Sequence, residues 1–148
     1  MLCQMGTHLL DVGEDEICYV LATQDFDSWY DGTLPYLDAV PGSDLTPDEE
    51  VDSFLRRFII GKPVTEVARM QPTRDGVWEI RLHHTRLFGW YVLPDVLVLD
   101  GGEAIENVKT GKPGYDHYRD KVLSVRERLG LDYVAGDQVT TRPCKGHG

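Results

Sequence analysis

The side chains in this 148-residue chain that could act on an anion are concentrated in its last two thirds. Residues 54–148 carry all 15 Lys and Arg, whereas residues 1–53 carry 13 Asp and Glu and no Lys or Arg. Arginine and lysine can hold a phosphate and neutralise developing charge, and histidine can move protons near neutral pH. The net charge of -10 repels nucleic acid at long range. Because salt screens exposed charges over about 8–10 Å, a local basic site remains compatible with that total.

The candidate proton carriers are His83 and His117. Neighbouring residues of a strand point to opposite faces, so His83 and His84 cannot both serve one site. The alternation of the strand predicts that His83 shares a face with Glu79 and Arg81. His117 lies near the start of a predicted helix, where the dipole favours a neutral imidazole base. Both histidines can equally be ordinary surface residues.

The candidate anion-binding residues are Arg81 and Arg86 on predicted strands, and Lys109 and Lys112 on a predicted loop. Each has a structural alternative. Arg81 can pair with Glu79, Arg86 can be a charge at a strand edge, and the two lysines can solvate the loop.

No motif in the sequence indicates a metal or a cofactor. The cysteines have no zinc spacing, and Gly101-Gly102 lacks the Walker pattern. Met1–Asp11 has no basic n-region of a signal peptide, and no apolar run reaches the length of a membrane span. We therefore expect no cofactor, no metal, no membrane partner and a cytoplasmic location.

The clearest predicted element is a helix over Thr46–Ile60, with Thr46 and Glu49 forming a capping box and Gly61 ending it. Strands are predicted at Glu16–Thr23, Val77–His84, Arg86–Leu93 and Val96–Asp100, the last closed by Gly101-Gly102. An irregular helix within 25–41, a short helical turn at 64–70, a loop at 109–114 and a final helix over Tyr115–Leu129 complete the prediction.

This order predicts an α/β (α+β) domain: a small antiparallel sheet of about four strands with two or three helices packed on one face. The predicted domain covers residues 15–134. It lies between a mobile N-terminal tail, residues 1–14, and a flexible C-terminal tail, residues 135–148.

The segment Trp78-Glu79-Ile80-Arg81 resembles the Trp/Leu-Glu-Leu-Arg strand of RelE/HigB toxins, a type II toxin–antitoxin family. Arg86-Leu87-Phe88 is similar to the arginine strand of that family, and Val96–Leu99 to its hydrophobic strand. Lys109-Thr110-Gly111-Lys112-Pro113 resembles its lysine-rich loop. The resemblance covers about residues 50–130.

The resemblance implies a ribosome-associated endoribonuclease that cleaves mRNA by attack of the RNA 2′-OH without a metal, and that an antitoxin neutralises. It implies catalytic roles for Arg81, Arg86, His83 and His117, and RNA or phosphate binding by Lys109, Lys112 and Arg119.

An alternative is a member of the same fold that has lost the nuclease and acts as an acidic inhibitor or regulator, phage-encoded or not, of a basic host protein. It is motivated by the acidic first third, and by Gly101–Glu106 where the family usually has a lysine. The predicted partner-binding residues are then Trp29, Tyr30, Asp48 and Glu49.

Overall fold

The computed structural model describes residues 1–110, 115–135 and 139, without the side chains of residues 109, 110 and 115. The predicted C-terminal tail, residues 135–148, therefore lies outside the described residues except at 135 and 139. Within the described ranges, no helix combines the length and the apolar character needed to cross a membrane.

A six-stranded mixed sheet with strand order β1-β2-β6-β5-β4-β3 forms the middle layer of the fold. Strands β2 and β6 run parallel, and the other neighbouring strands run antiparallel. The predicted α+β class is confirmed, although the sheet has six strands rather than about four. The strands are Cys3–Gln4 (β1), Tyr19–Ala22 (β2), Arg69–Pro72 (β3), Val77–Arg81 (β4), Thr85–Leu93 (β5) and Val96–Ala104 (β6).

The described residues form four α-helices: Gln24–Gly32 (α1), Pro47–Ile59 (α2), Ile105–Thr110 (α3) and Tyr115–Leu129 (α4). The capping box predicted for α2 is confirmed. The Glu49 backbone N–H donates to Thr46 Oγ1, and the Thr46 N–H donates to Glu49 Oε1 at 2.9 Å. Gly61 ends this helix with a φ of 76°, a value that a side chain would disfavour.

Helices cover both faces of the sheet rather than the single face that we predicted. Phe26 of α1 and Phe54 of α2 lie in one core with Leu97 and Leu99 of β6. On the other face, Val122 of α4 packs in a second core with residues that include Phe88, Trp90 and Val98. Strand β5 is buried on both sides because its apolar residues do not alternate with polar ones.

Three segments of the chain differ from the predicted elements. The first residues contain β1, which pairs with β2, and the buried Met5, so they are not a tail apart from the domain. The predicted helical turn at 64–70 is present only up to Ala68, whose N–H donates to the Val64 carbonyl oxygen at 2.9 Å, and Arg69 and Met70 belong to strand β3. Strand β6 continues past Gly101-Gly102 to Ala104, and the backbone at 109 and 110, the described part of the predicted loop, belongs to helix α3.

Candidate functional site: an arginine row on the α4 face

A row of three arginines crosses the sheet on the face that α4 covers. The antiparallel register places Arg69 of β3 opposite Arg81 of β4, and Arg81 opposite Arg86 of β5. Directly opposed residues point to the same face, with Cβ atoms about 4.5–5.5 Å apart. Continuing the same line, Arg86 lies opposite Glu103 of β6. We call Arg69, Arg81 and Arg86 the arginine row.

Arg81 is the partly exposed centre of the row, with 38% of its side chain accessible. Its Nε donates a hydrogen bond to Glu79 Oε1, and the Glu79 side chain is only 4% exposed. The structural alternative of an Arg81–Glu79 pair is therefore confirmed. Glu79 lies opposite Phe88, so it is buried on the α4 face and not on an open face of the sheet. The pair fixes the direction of the Arg81 guanidinium.

Arg86 is buried, with 6% of its surface accessible. Its Nη1 donates to the carbonyl oxygens of Leu82 at 2.6 Å and Thr85 at 3.0 Å, which ties it to the turn between β4 and β5. Its Nε has no hydrogen-bond partner among the described residues. No carboxylate of the described residues pairs with it either. No carboxylate of the described residues therefore neutralises the Arg86 charge by direct contact. Because Arg86 is buried, its electric field is screened less by water.

Tyr118 of α4 packs against the same face, next to the row. Its ring stacks on Phe88 with centroids 5.1 Å apart and an interplanar angle of 7°. Its hydroxyl lies 3.5 Å from Glu103 Oε2, and burial, followed by the nearby Glu103 carboxylate, raises the pKa of Tyr118. Glu103 Oε1 accepts hydrogen bonds from the Ala104 backbone N–H and from Asn107 Nδ2. Glu103 is thus held by α3 and α4 and stays beside Arg86.

His117 lies next to Tyr118 in the first turn of α4. It is exposed, and its ring meets the Tyr118 ring edge-on at 5.4 Å. Arg119, a predicted phosphate-binding residue, instead pairs with Asp116 at 3.1 Å and lies 3.8 Å from Asp120. Helix α4 therefore places His117 beside Tyr118, whereas the Arg119 guanidinium is paired with carboxylates of its own helix.

Lys109 and Lys112 cannot be placed at the site. Lys112 and the side chain of Lys109 lie outside the described residues, and only the Lys109 backbone, in α3, is described.

His83 is turned away from the arginine row. It lies in the β4–β5 turn rather than in β4, and its Nε2 is 3.0 Å from the Pro41 carbonyl oxygen. The segment that contains Pro41 leads into α2, on the opposite face from α4. The prediction that His83 shares the face of Glu79 and Arg81 is therefore wrong, because the strand ends at Arg81 and the alternation ends with it.

The four predicted partner-binding residues all make contacts within the chain. Trp29 packs on Phe26 and lies against Gly102, where a Cβ atom would come within 2.5 Å of the indole. Tyr30 donates a hydrogen bond to Asp52 Oδ1. Asp48 accepts a hydrogen bond from Thr46 Oγ1, and Glu49 belongs to the α2 capping box.

Two residues of this site, Arg69 and Glu103, were not predicted from the sequence as functional. Arg69 was missed because β3 was assigned to a helical turn. The signal for β3 was Asp75-Gly76, since this dipeptide favours a hairpin turn with positive φ at both residues. Asp75 and Gly76 have φ values of 55° and 77°, as that turn requires.

The chain matches no family model, no curated protein and no solved structure. The RelE/HigB resemblance therefore stays a prediction that rests on the quoted motifs. Among the described residues, no group of three or more His, Cys, Asp or Glu side chains is arranged to hold a metal ion.

Proposed function

We propose that this chain is a RelE/HigB-like endoribonuclease that cleaves mRNA, in association with the ribosome, by attack of the RNA 2′-OH, and that a small antitoxin neutralises it. The observation that carries the proposal is the arginine row. Like charges placed directly opposite each other destabilise a sheet. Glu79 pairs with Arg81, but no carboxylate of the described residues pairs with Arg69 or Arg86, so the row keeps an excess of positive charge that a phosphodiester would compensate.

The proposed reaction needs a held phosphate and two proton transfers. The 2′ oxygen loses its proton to a base and attacks the adjacent phosphorus. The bond from phosphorus to the 5′ oxygen then breaks, and an acid protonates that oxygen, which leaves a 2′,3′-cyclic phosphate. Arg81 would contact the phosphate, since it is the partly exposed member of the opposed pair and Glu79 orients it. The buried Arg86 would add charge next to it.

The proton carriers in this proposal lie on α4. His117 is exposed in the first turn of the helix, and the adjacent Tyr118 hydroxyl faces Glu103. An exposed imidazole of this kind can accept the 2′-OH proton. His83 is left out of this set because its ring faces Pro41.

The test is induction of the wild-type gene, with mapping of mRNA ends that carry a 2′,3′-cyclic phosphate. We expect growth arrest and cleavage for the wild type, and loss of both for Arg81→Ala. The matched control is Arg74→Ala, which removes an exposed arginine from the turn between β3 and β4. Absence of cleavage by the wild type in vivo and with purified ribosomes would overturn the proposal.

The acidic first third favours a second candidate, a binding protein that keeps the fold without the nuclease and holds a basic partner. Among the described residues, Lys and Arg side chains pair with three of its thirteen carboxylates, those of Asp11, Glu14 and Asp25. Exposed carboxylates that remain, including Asp31 and Asp38, give the surface of this segment a negative field. If this candidate is right, replacing Asp31 and Asp38 with Asn lowers the recovery of a specific partner, whereas Arg81→Ala leaves it unchanged.

A further inference from the structure

Arg69 is the outermost member of the arginine row and has no role in the reaction proposed above. It lies on β3, an edge strand of the sheet. The next residue, Met70, is buried in the core on the α1 and α2 side, so Arg69 points to the α4 face. Arg69 is exposed, and no hydrogen bond or ion pair holds it among the described residues. A long cationic side chain is thus left available beside Arg81.

The line of the row is perpendicular to the strands. Neighbouring strands are about 4.7–4.9 Å apart, so Arg69 and Arg86 begin about 10 Å apart with Arg81 between them. The strand residues buried in the second core lie on β4, β5 and β6, and Leu21 of β2 packs against them, but no residue of β3 belongs to this core. Arg69 therefore lies beyond the part of the face where α4 packs. A ligand strand that extends from Arg81 towards β3 reaches Arg69 next.

We propose that Arg69 forms a second phosphate subsite, so that single-stranded RNA crosses β4 and β3 along the exposed part of the arginine row, with successive phosphates on Arg81 and Arg69. The inference rests on the proposed function for the identity of the ligand. Guanidinium groups match phosphate oxygens in a bidentate way and keep their charge at all relevant pH values.

The direction of the row favours a nucleic acid strand over a docked protein segment. A peptide that adds to the free edge of β3 runs along the strand and pairs through its backbone. It would pass Arg69 but would run perpendicular to the row and miss Arg81. A phosphodiester chain that crosses the strands contacts both residues.

The test is the salt dependence of binding to a tetranucleotide of 2′-O-methyl uridylate, which lacks the attacking hydroxyl and cannot be cleaved. For a single strand, each neutralised phosphate contributes about 0.7 to the slope of log affinity against log salt. We expect Arg69→Ala to lower the slope by about 0.7 and to weaken binding by about two- to fivefold at moderate salt. Arg74→Ala, the exposed control in the same hairpin, should leave both values unchanged.

A dinucleotide of the same chemistry provides an internal comparison, because it has a single internucleotide phosphate. We expect Arg81→Ala to weaken its binding and Arg69→Ala to leave its binding unchanged. An unchanged tetranucleotide slope in Arg69→Ala overturns the subsite, even if the wild type still binds and cleaves RNA. Equal losses for Arg69→Ala and Arg74→Ala would show only general electrostatic attraction, which also overturns it.

Failure of the proposed function gives a different pattern. The wild type would then bind neither oligonucleotide, and its arginine variants would not differ. Binding of an acidic peptide in place of the tetranucleotide, with loss in Arg69→Ala, would assign the row to a protein partner and overturn the RNA assignment.

Discussion

The buried pair Glu50–His84 joins α2 to the turn that holds Arg86, and its removal has a calculable cost. Glu50 and His84 have 4% and 2% of their surfaces accessible. Glu50 Oε1 accepts a hydrogen bond from the His84 backbone N–H at 3.0 Å and lies 3.3 Å from His84 Nδ1. Glu50→Ala removes both contacts and leaves two buried nitrogen atoms without an acceptor, next to Nε2, which already has no partner among the described residues.

The expected loss is about 2–4 kcal/mol of unfolding free energy. Each buried polar group left without its partner costs about 1–3 kcal/mol, and Glu50→Ala leaves two such nitrogen atoms. The total stability of a domain is about 5–15 kcal/mol, so the variant should still fold but with a clearly lower denaturant midpoint. Glu50→Gln keeps an acceptor oxygen and should lose less.

The assay is urea unfolding followed by tryptophan fluorescence and circular dichroism. The matched control is Glu66→Ala, since Glu66 is an exposed partner of Arg57 with 75% of its side chain accessible. An exposed pair contributes about 0–1 kcal/mol, so this control should be nearly neutral. If Glu50→Ala costs no more than Glu66→Ala, the Glu50–His84 contact does not stabilise the fold and the reasoning fails.

Two further predictions concern α1 and its neighbours. Gly102→Ala would place a Cβ atom within 2.5 Å of the Trp29 ring, so the ring must move, and we expect a loss of about 1–3 kcal/mol with a shift of tryptophan emission in the folded protein; unchanged emission and stability would contradict this packing. Burial, only partly offset by the hydrogen bond from Tyr30, raises the pKa of Asp52. A raised pKa in the folded state means that stability present at low pH is lost as the pH rises through that pKa. The unfolding free energy of Asp52→Asn should therefore increase relative to that of the wild type as the pH rises through this pKa. Urea unfolding at a series of pH values measures the difference, and a difference that does not change with pH would contradict the prediction.

Helix α2 was predictable because its signals are local. Thr46, Pro47 and Glu49 define its start, Gly61 defines its end, and the apolar stripe between them needs no tertiary information. The boundaries of α4 at Tyr115 and Leu129 were predicted for the same reason.

The layer arrangement was not predictable from local pattern alone. In β5, Leu87 and Tyr91 face one core while Phe88 and Trp90 face the other. A continuous apolar run of this kind marks a strand covered on both sides, but it does not say which helix covers which side. The packing of α4 shows which helix covers the second face of the sheet.

The candidate site was predictable in part. Alternation within β4 placed Glu79 and Arg81 on one face, which the structure retains. The opposition of Arg81 and Arg86 depends on the length of the turn between their strands, and that of Arg69 depends on a strand that was not predicted. Gly102 illustrates the same limit, because its role is to make room for Trp29, which is distant in sequence.

The most direct test of the central proposal is cleavage of a defined mRNA by the purified protein, with and without ribosomes. The account predicts discrete cuts that end in 2′,3′-cyclic phosphate, loss of these cuts in folded Arg81→Ala, and retention in Arg74→Ala. No cleavage by the wild type under either condition, or equal cleavage by wild type and Arg81→Ala, would contradict it.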